Sequence, residues 1–319
     1  MLVVEDLKTY YPTSTGEVKA VDGVSFKLQK GASLGIAGES GCGKSTLGYS
    51  LLSLVPTPGR IVDSRIYVDG QEITRLPNGR LRKIRWETIS MVFQGAMNSL
   101  NPVYSIGRQM VDTVRVHKSK TAESEAKQLS RKSLEMVRLS EDVLNRYPHE
   151  LSGGMKQRVV IAMALMLEPK VLIADEPTTA LDVVVQAQII NLLKDLQKKL
   201  NMSVILITHD LSLIPELSDE VAIMYAGQFA NYGVSSKIYS ESLHPYTHLL
   251  LDSIPTLSGD KRLTYISGAP PDLRIPPSGC RFHPRCPYVV ERCKLEKPTL
   301  RILNDEQKVA CHRAEEALW

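Results

Sequence analysis

The stretch ASLGIAGESGCGKSTLGYSL, residues 32–51, restricts the fold more than any other part of the chain. It reads as a buried strand over about 32–37, a glycine-rich loop, and a helix from about residue 44. The loop has the form G-x-x-x-x-G-K-S from Gly38 to Ser45. Gly38, Gly41 and Gly43 let backbone N–H groups turn inward around an anion, and the helix that follows aims its positive end at the same point. Lys44 is placed to reach the β- and γ-phosphates of a nucleotide, and the Ser45 hydroxyl to ligate Mg²⁺. Ser40, Cys42 and Thr46 complete the cradle; Cys42 stands at one of the unrestricted positions and is assigned no chemistry. A glycine-rich turn that binds nothing is the competing reading, and the strand before it and the helix after it argue against that. The expected fold class is α/β.

At 319 residues the chain suits one large domain and a smaller one. Its longest uninterrupted apolar run, VVIAMALML, falls far short of the roughly 20 residues a membrane-spanning helix needs. Charges interrupt the opening MLVVEDLKTYY, so no secretory leader is expected, and the chain reads as soluble and intracellular. A net charge of +4, without a basic stripe interleaved with aromatics, gives no reason to expect nucleic acid as a partner.

Two further segments fit a nucleotide site. In VLIADEP an apolar run ends at Asp175 and Glu176. A carboxylate leaving a buried strand beside a phosphate loop holds the Mg²⁺ shell, the role expected of Asp175, and Glu176 is placed to polarise the attacking water. SVILITHD supplies another buried strand ending at Thr208, His209 and Asp210. Between Asp175 and His209 there is room for one helix, about 183–200, and a return strand. Such a unit brings His209 to the same carboxyl edge of the sheet, where it can touch the γ-phosphate.

Between these segments lies LSGGMKQR, Leu151 to Arg158, a second run of small residues leading into a helix. A second anion cradle in a chain that already has one makes sense if it serves a nucleotide held by another subunit. At this point the chain closely resembles the ATP-binding subunits of ABC transporters, over residues 1 to about 235 and through six motifs in the family's order. The resemblance implies an ABC ATPase core of the P-loop NTPase type, with a helical subdomain at about 95–160 and an antiparallel β subdomain. It implies ATP contacts from Gly38 to Thr46 and a glutamine loop at Gln94 that helps hold Mg²⁺ and the attacking water. It implies a signature at Ser152, Gly153, Gly154 and Gln157 that meets the partner's ATP, and a dimer loop, Ala180–Asp182, in which Asp182 is the key residue. Catalytic Glu176 and the switch His209 belong to the same set. An aromatic near the start, Tyr11 with Tyr10 as its rival, would stack on adenine. Two such domains would close head to tail around two ATP molecules, and membrane subunits would dock near Gln94 and the helical stretch 103–145.

After residue 235 the composition changes. SESLHPYTHLLLDSIPTL reads as a helical piece, and ISGAPPDLRIPPSGCRFHPRCP packs six prolines into a loop-rich stretch. Together with YPHELSGGMKQR and SLNPVY, this tail resembles the oligopeptide/dipeptide importer group. That resemblance implies a C-terminal extension at 236–319, two permease subunits, an extracytoplasmic solute-binding protein acting indirectly, and a place on the cytoplasmic face of the membrane. It also favours a related second ATPase as dimer partner. Four of the five cysteines, Cys280, Cys286, Cys293 and Cys311, crowd into this tail as C-x5-C-x6-C-x17-C. Zinc sites favour tighter pairs, and wide loops suit an iron–sulfur cube better. Some ATPases resembling this chain carry a [4Fe–4S] cluster there; zinc, or free thiols and disulfides, are the alternatives. His283 and His312 stand nearby as bystanders. The main reading is an importer ATPase. A soluble ABC protein of DNA repair or translation is the runner-up, and a redox-gated module built on the cysteine tail is a third.

Overall fold

In a computed structural model, described for residues 1–254 and 265–316, the chain divides into two compact units. The first gathers residues 1–28, 33–74 and the described residues from 207 onward; the second gathers 29–32 and 75–206.

The first unit holds an antiparallel sheet in which Leu2–Thr13 lies between Gly16–Leu28 and Arg60–Val68, with the short strand Gln71–Glu72 beyond. Alternation decides its faces: Leu2, Val4, Phe26, Leu28, Ile66 and Val68 are buried, while intervening residues face outward. Its other strands run in the order Arg301–Asn304, Gln307–Val309, Gln228–Val234, Glu220–Tyr225 and Ser33–Ala37. The last pair is parallel, Leu34 opposite Glu220 and Ala37 opposite Ile223. Every residue of Ser33–Ala37 is buried, as a strand covered on both faces requires.

A core joins this sheet to the tail. Tyr225, Ile238, Tyr246, Leu250 and Phe282 pack with Val221 and Ile223, and Cys280 and Cys286 lie against the same cluster. The rings of Tyr225 and Phe282 meet edge-on, 5.2 Å between centroids, and Tyr246 stands 4.5 Å from Tyr225. Burying side chains of this size contributes about 2 kcal/mol each, enough to fix a segment with little regular structure. The tail is loop-rich as expected, with a helix at Pro245–Asp252 and short turns at His283–Arg285 and Glu291–Leu295. The end of the expected helical piece, 255–257, lies outside the described residues. The hairpin Arg301–Asn304/Gln307–Val309 is a feature that the composition did not suggest.

The second unit holds the strands Ser203–Ile207, Val171–Asp175 and Ile89–Val92, side by side in that order, with Ile89–Val92 parallel to Val171–Asp175. Its helices include Ile106–His117, Glu123–Met136, Gly153–Leu165 and Val183–Leu200. In Ile106–His117 the buried residues Ile106, Met110, Val111 and Val114 fall on one face, the spacing of an amphipathic helix. Val183–Leu200 has the predicted bounds. It starts where Asp182 accepts a bond from the Val185 N–H, and it stops at Asn201, which adopts the left-handed conformation asparagine tolerates.

Candidate functional site

The strand Ser33–Ala37 delivers the chain into the loop Gly38–Gly43, and the helix Lys44–Leu51 begins directly after it. Two glycines are sterically required. A Cβ on Gly38 would stand 2.1 Å from the Met224 carbonyl oxygen, and one on Gly43 1.9 Å from that of Ala20. Gly38 and Gly43 also have φ of 150° and 108°, which side-chain-bearing residues rarely adopt. No side chain caps the start of the helix and no acidic residue sits in its first turn, so its N–H groups and positive end remain directed at the concavity of the loop.

Lys44 is buried, and its ammonium donates to the loop's own carbonyls, Gly38 O at 2.7 Å and Glu39 O at 3.0 Å. Those bonds hold a positive charge inside the loop. The Cys42 thiol lies 3.7 Å from Lys44 Nζ, and burial pushes it up from its ordinary value. Ser40 and Gly41 are exposed at the rim, while Ser45 and Thr46 are half-buried in the first helical turn.

The two candidate aromatics have separate surroundings. The Tyr11 hydroxyl lies 3.5 Å from Thr46 Oγ1, beside the helix that follows the loop. The Tyr10 hydroxyl donates to Asp22 at 2.6 Å. His209 is exposed just beyond Thr208, whose N–H bonds to Ile36 O. That bond places His209 at the same end of the unit as the loop after Ala37.

The second unit assembles the other set. Asp175 ends its strand fully buried, and Glu176 follows with a φ of 47°, a left-handed turn that aims its side chain out of the strand direction. Gln94 leaves the neighbouring strand Ile89–Val92, and its Nε2 donates to Glu176 Oε2 at 2.8 Å; Thr179 Oγ1 donates to the same oxygen at 3.0 Å. These donors fix the direction of one carboxylate oxygen.

Ser152 and Asp182 each serve a local purpose as helix caps, Ser152 accepting from Met155 N and Asp182 from Val185 N. Gly153 and Gly154 bring the two caps together, since a Cβ on Gly154 would be 2.8 Å from Val185 Cγ1 and one on Gly153 3.3 Å from Leu181 Cδ2. Ser152 and Gly153 are exposed, whereas Gln157 is buried, so it supports the helix from within and does not face solvent with Ser152. Beside them Val183 and Val184 are 80% and 67% exposed, an apolar patch next to polar donors.

Cys280, Cys286, Cys293 and Cys311 line one cavity, with Phe282 and Arg313 among its other walls. The Cys280 N–H donates to Cys293 O at 2.8 Å, tying two of the four together. Burial pushes the Cys280 thiol up to about 12 and the Cys286 thiol up to about 11, and the neighbouring cysteines add to both. Among the described residues, no group of three or more His, Cys, Asp or Glu side chains is arranged to hold a metal ion. His283 and His312 are engaged with the carbonyls of Cys280 and Glu296. No helix among the described residues is long and apolar enough to cross a membrane.

Sequence reasoning missed the buried partners of this region: Asp22 and Glu39 receive Arg281 and Arg285 of the tail. Pairing between residues so far apart leaves no local pattern.

Residues 21–179 match the family model described as ABC transporter, and residues 232–293 match that of the oligopeptide/dipeptide transporter C-terminal region. A dipeptide transport ATP-binding protein of Caldanaerobacter subterraneus is 46% identical over 98% of this chain and 97% of its own length. An oligopeptide transport ATP-binding protein of Haemophilus influenzae is 45% identical over 98% and 96%. Among solved structures, the dimeric post-hydrolysis state of the cassette MJ0796 bound to ADP and phosphate covers 74% of this chain and 99% of that one, with TM-score 0.64 and 27% identity. The cbiO1 protein of Clostridium perfringens, part of an ABC transporter complex, matches with TM-score 0.64 at 33% identity, over 75% of this chain and 90% of that one.

Proposed function

This chain belongs to the ABC transporter ATP-binding proteins of the oligopeptide/dipeptide family, and from that premise we propose how its parts do their work. It is an ATP-hydrolysing subunit with an ABC ATPase fold that energises an importer of di- or oligopeptides or related small solutes. The observation that carries the mechanism is the cradle, a loop in which Cβ atoms at Gly38 and Gly43 would strike backbone, leading into a helix whose start no side chain caps.

Lys44 leaves the two loop carbonyls to meet the β- and γ-phosphates, and Gly38 to Thr46 wrap the rest, Tyr11 stacking on adenine. Ser45, Asp175 and Gln94 would hold Mg²⁺, which when bound neutralises the charge on the phosphates. Glu176, its carboxylate oriented by Gln94 and Thr179, takes the proton of the attacking water, and His209 contacts the γ-phosphate. Ser152, Gly153 and Gly154 face the nucleotide of a second ATPase subunit in a head-to-tail dimer, and Asp182 lies on the same face; the exposed Val183 and Val184 support burial there. Gln157 acts through the helix it stabilises.

The partner is a related ATPase, the pair docks on two permease subunits at the cytoplasmic face of the membrane, and a solute-binding protein acts indirectly. Residues 1–235 form the ATPase domain and 236–319 the extension, a division that the match at 232–293 supports. Cys280, Cys286, Cys293 and Cys311 would be the ligands of a [4Fe–4S] cluster that would staple the extension, a reading that their convergence on one cavity supports.

Replacing Glu176 with Gln tests the mechanism: MgATP binding persists, turnover falls, and a closed dimer accumulates in size-exclusion chromatography. Unchanged turnover overturns the assignment of the base. For the tail, about four irons and four sulfides per chain in protein purified without oxygen support the cube. One zinc, or no metal, rejects it.

A further inference from the structure

We propose that Arg285, in the cysteine-rich tail, is a positioning residue for the ATP-binding loop, acting through Glu39. Glu39 occupies the second position of the loop, between Gly38 and Ser40, where the motif restricts nothing. In this chain it is held from two directions. The Arg285 guanidinium forms a bidentate pair with its carboxylate, Nη1 to Oε2 at 2.6 Å and Nη2 to Oε1 at 2.9 Å. The Tyr246 hydroxyl accepts the Glu39 backbone N–H at 2.9 Å.

The pair is enclosed, the Arg285 side chain being 5% exposed and Glu39 24%. Arg285 is itself fixed. Its Nε donates to Ser267 O at 2.9 Å, and its guanidinium lies 5.8 Å from the centre of the Tyr225 ring. A planar fork held at this many points sets both the place and the rotation of the carboxylate it grips.

Glu39 passes that constraint to the chemistry. Its carbonyl oxygen is one of the two on which Lys44 Nζ rests, and it also accepts the Cys42 N–H at 3.3 Å. Arg285 thus determines where the Glu39 carbonyl points, and with it the resting position of the lysine and the curvature of the loop. Arg285 directly precedes Cys286, so the loop's shape depends on the tail's being folded around its four thiols. A surface staple would need neither the bidentate geometry nor a landing point inside the loop.

This inference rests on the ATP reading above. Its test is equilibrium titration of the full chain with a fluorescent ATP analogue and Mg²⁺, comparing wild type with Arg285→Gln, Glu39→Gln, the double variant and Arg285→Lys. Thermal unfolding and tail proteolysis are followed in parallel. Each single neutral variant is expected to weaken binding by about tenfold, a mid-range coupling for residues in contact. The double variant is expected to be no weaker than either single one, and Arg285→Lys to recover part of the loss, since it restores the charge without the fork. Wild-type affinity in Arg285→Gln and Glu39→Gln, with only stability or proteolysis altered, overturns the proposal and leaves a structural staple. Should Arg285→Gln fail to fold, Glu39→Gln breaks the same pair from the loop side and decides alone. A wild-type chain that does not bind the analogue refutes the nucleotide reading itself.

Discussion

Arg281 offers the sharpest test of how the tail is held. Its side chain is 9% exposed, and its guanidinium meets the Ala226 carbonyl through Nη1 and the Asp22 carboxylate through Nη2. Asp22, 13% exposed on its side chain, also receives the Tyr10 hydroxyl at 2.6 Å and the Gln228 amide at 3.3 Å. Changing Arg281 to Met keeps the apolar stem and removes the charge, leaving a buried carboxylate with two weaker donors. Breaking a buried pair from one side costs about 3–5 kcal/mol, and the donors that remain place this case near 3. For a chain of this length that corresponds to a fall in Tm of about 4–5 °C. Adding Asp22→Asn removes the stranded charge and should restore most of the loss.

The pH dependence has a definite sign. Burial alone would raise the Asp22 carboxyl, but the Tyr10 hydroxyl and Arg281 together hold it below its ordinary value. A carboxyl lowered in the folded state contributes stability that is complete above its ordinary value and is lost as the pH falls below that value and through the lowered one. The gap between wild type and Arg281→Met is therefore full at neutral pH and narrows in acid, where the variant's carboxyl takes up a proton. Thermal unfolding at pH 7.5 and pH 3 measures both effects. A single-variant loss below about 1 kcal/mol, the level of an exposed pair, or a double variant no more stable than the single, refutes the reasoning.

Other consequences are equally open to measurement. Gly43→Val should abolish binding of MgATP, read by nucleotide titration, because its Cβ would stand 1.9 Å from the Ala20 carbonyl oxygen; retained affinity means that the loop yields. His244 is fully buried, accepts the Tyr246 N–H at 3.0 Å, and is pushed down to about 4 by that burial. Its neutral form is the native one, so stability is full above about 6.5 and declines as the pH falls toward 4, by about 3 kcal/mol in all. His244→Asn keeps an acceptor for the helix start and should flatten urea-unfolding curves over that interval. Glu176→Gln should lower turnover by about 10²–10⁴-fold while leaving MgATP affinity intact, measured by phosphate release and titration. Cys286→Ser should speed proteolysis of residues 265–316; undiminished resistance counts against the thiols as a staple.

The strands and the loop were legible because their signals are local. ASLGIA before the glycines and VLIAD before Glu176 are short apolar runs, and the structure makes both of them fully buried strands. The helix Val183–Leu200 was legible from the length between two buried strands, and the structure adds what ends it, Asp182 as cap and Asn201 as stop. The contrast between Tyr10 and Tyr11 could not be settled from sequence, since it depends on Asp22, a residue of the adjacent strand. The two arginines of RFHPR were hidden for the same reason. Nothing in Arg281 or Arg285 distinguishes a buried anchor from a solvated charge until Asp22 and Glu39 are brought beside them. Beyond the proline-rich stretch of the tail, Gln307 and Val309 alternate inward as strand residues do, but a strand of three residues is too short to show its period in the sequence.

That late hairpin bears on how the edge of the sheet is guarded. Gln307–Val309 pairs with Gln228–Val234, setting Lys308 opposite Tyr232 and Gln307 opposite Gly233, so close that a Cβ on Gly233 would touch the Glu306 carbonyl. Without it, Gln228–Val234 would become the last strand of its sheet, with Phe229 and Tyr232 beside a row of unpaired N–H and C=O groups. Such an edge is a template for association between copies. The hairpin replaces it with Arg301–Asn304, only four residues long, begun by an arginine paired to Glu315 and ended by an asparagine. A chain cut before residue 300 would lose this guard, and light scattering should show it aggregating while the full chain stays dispersed.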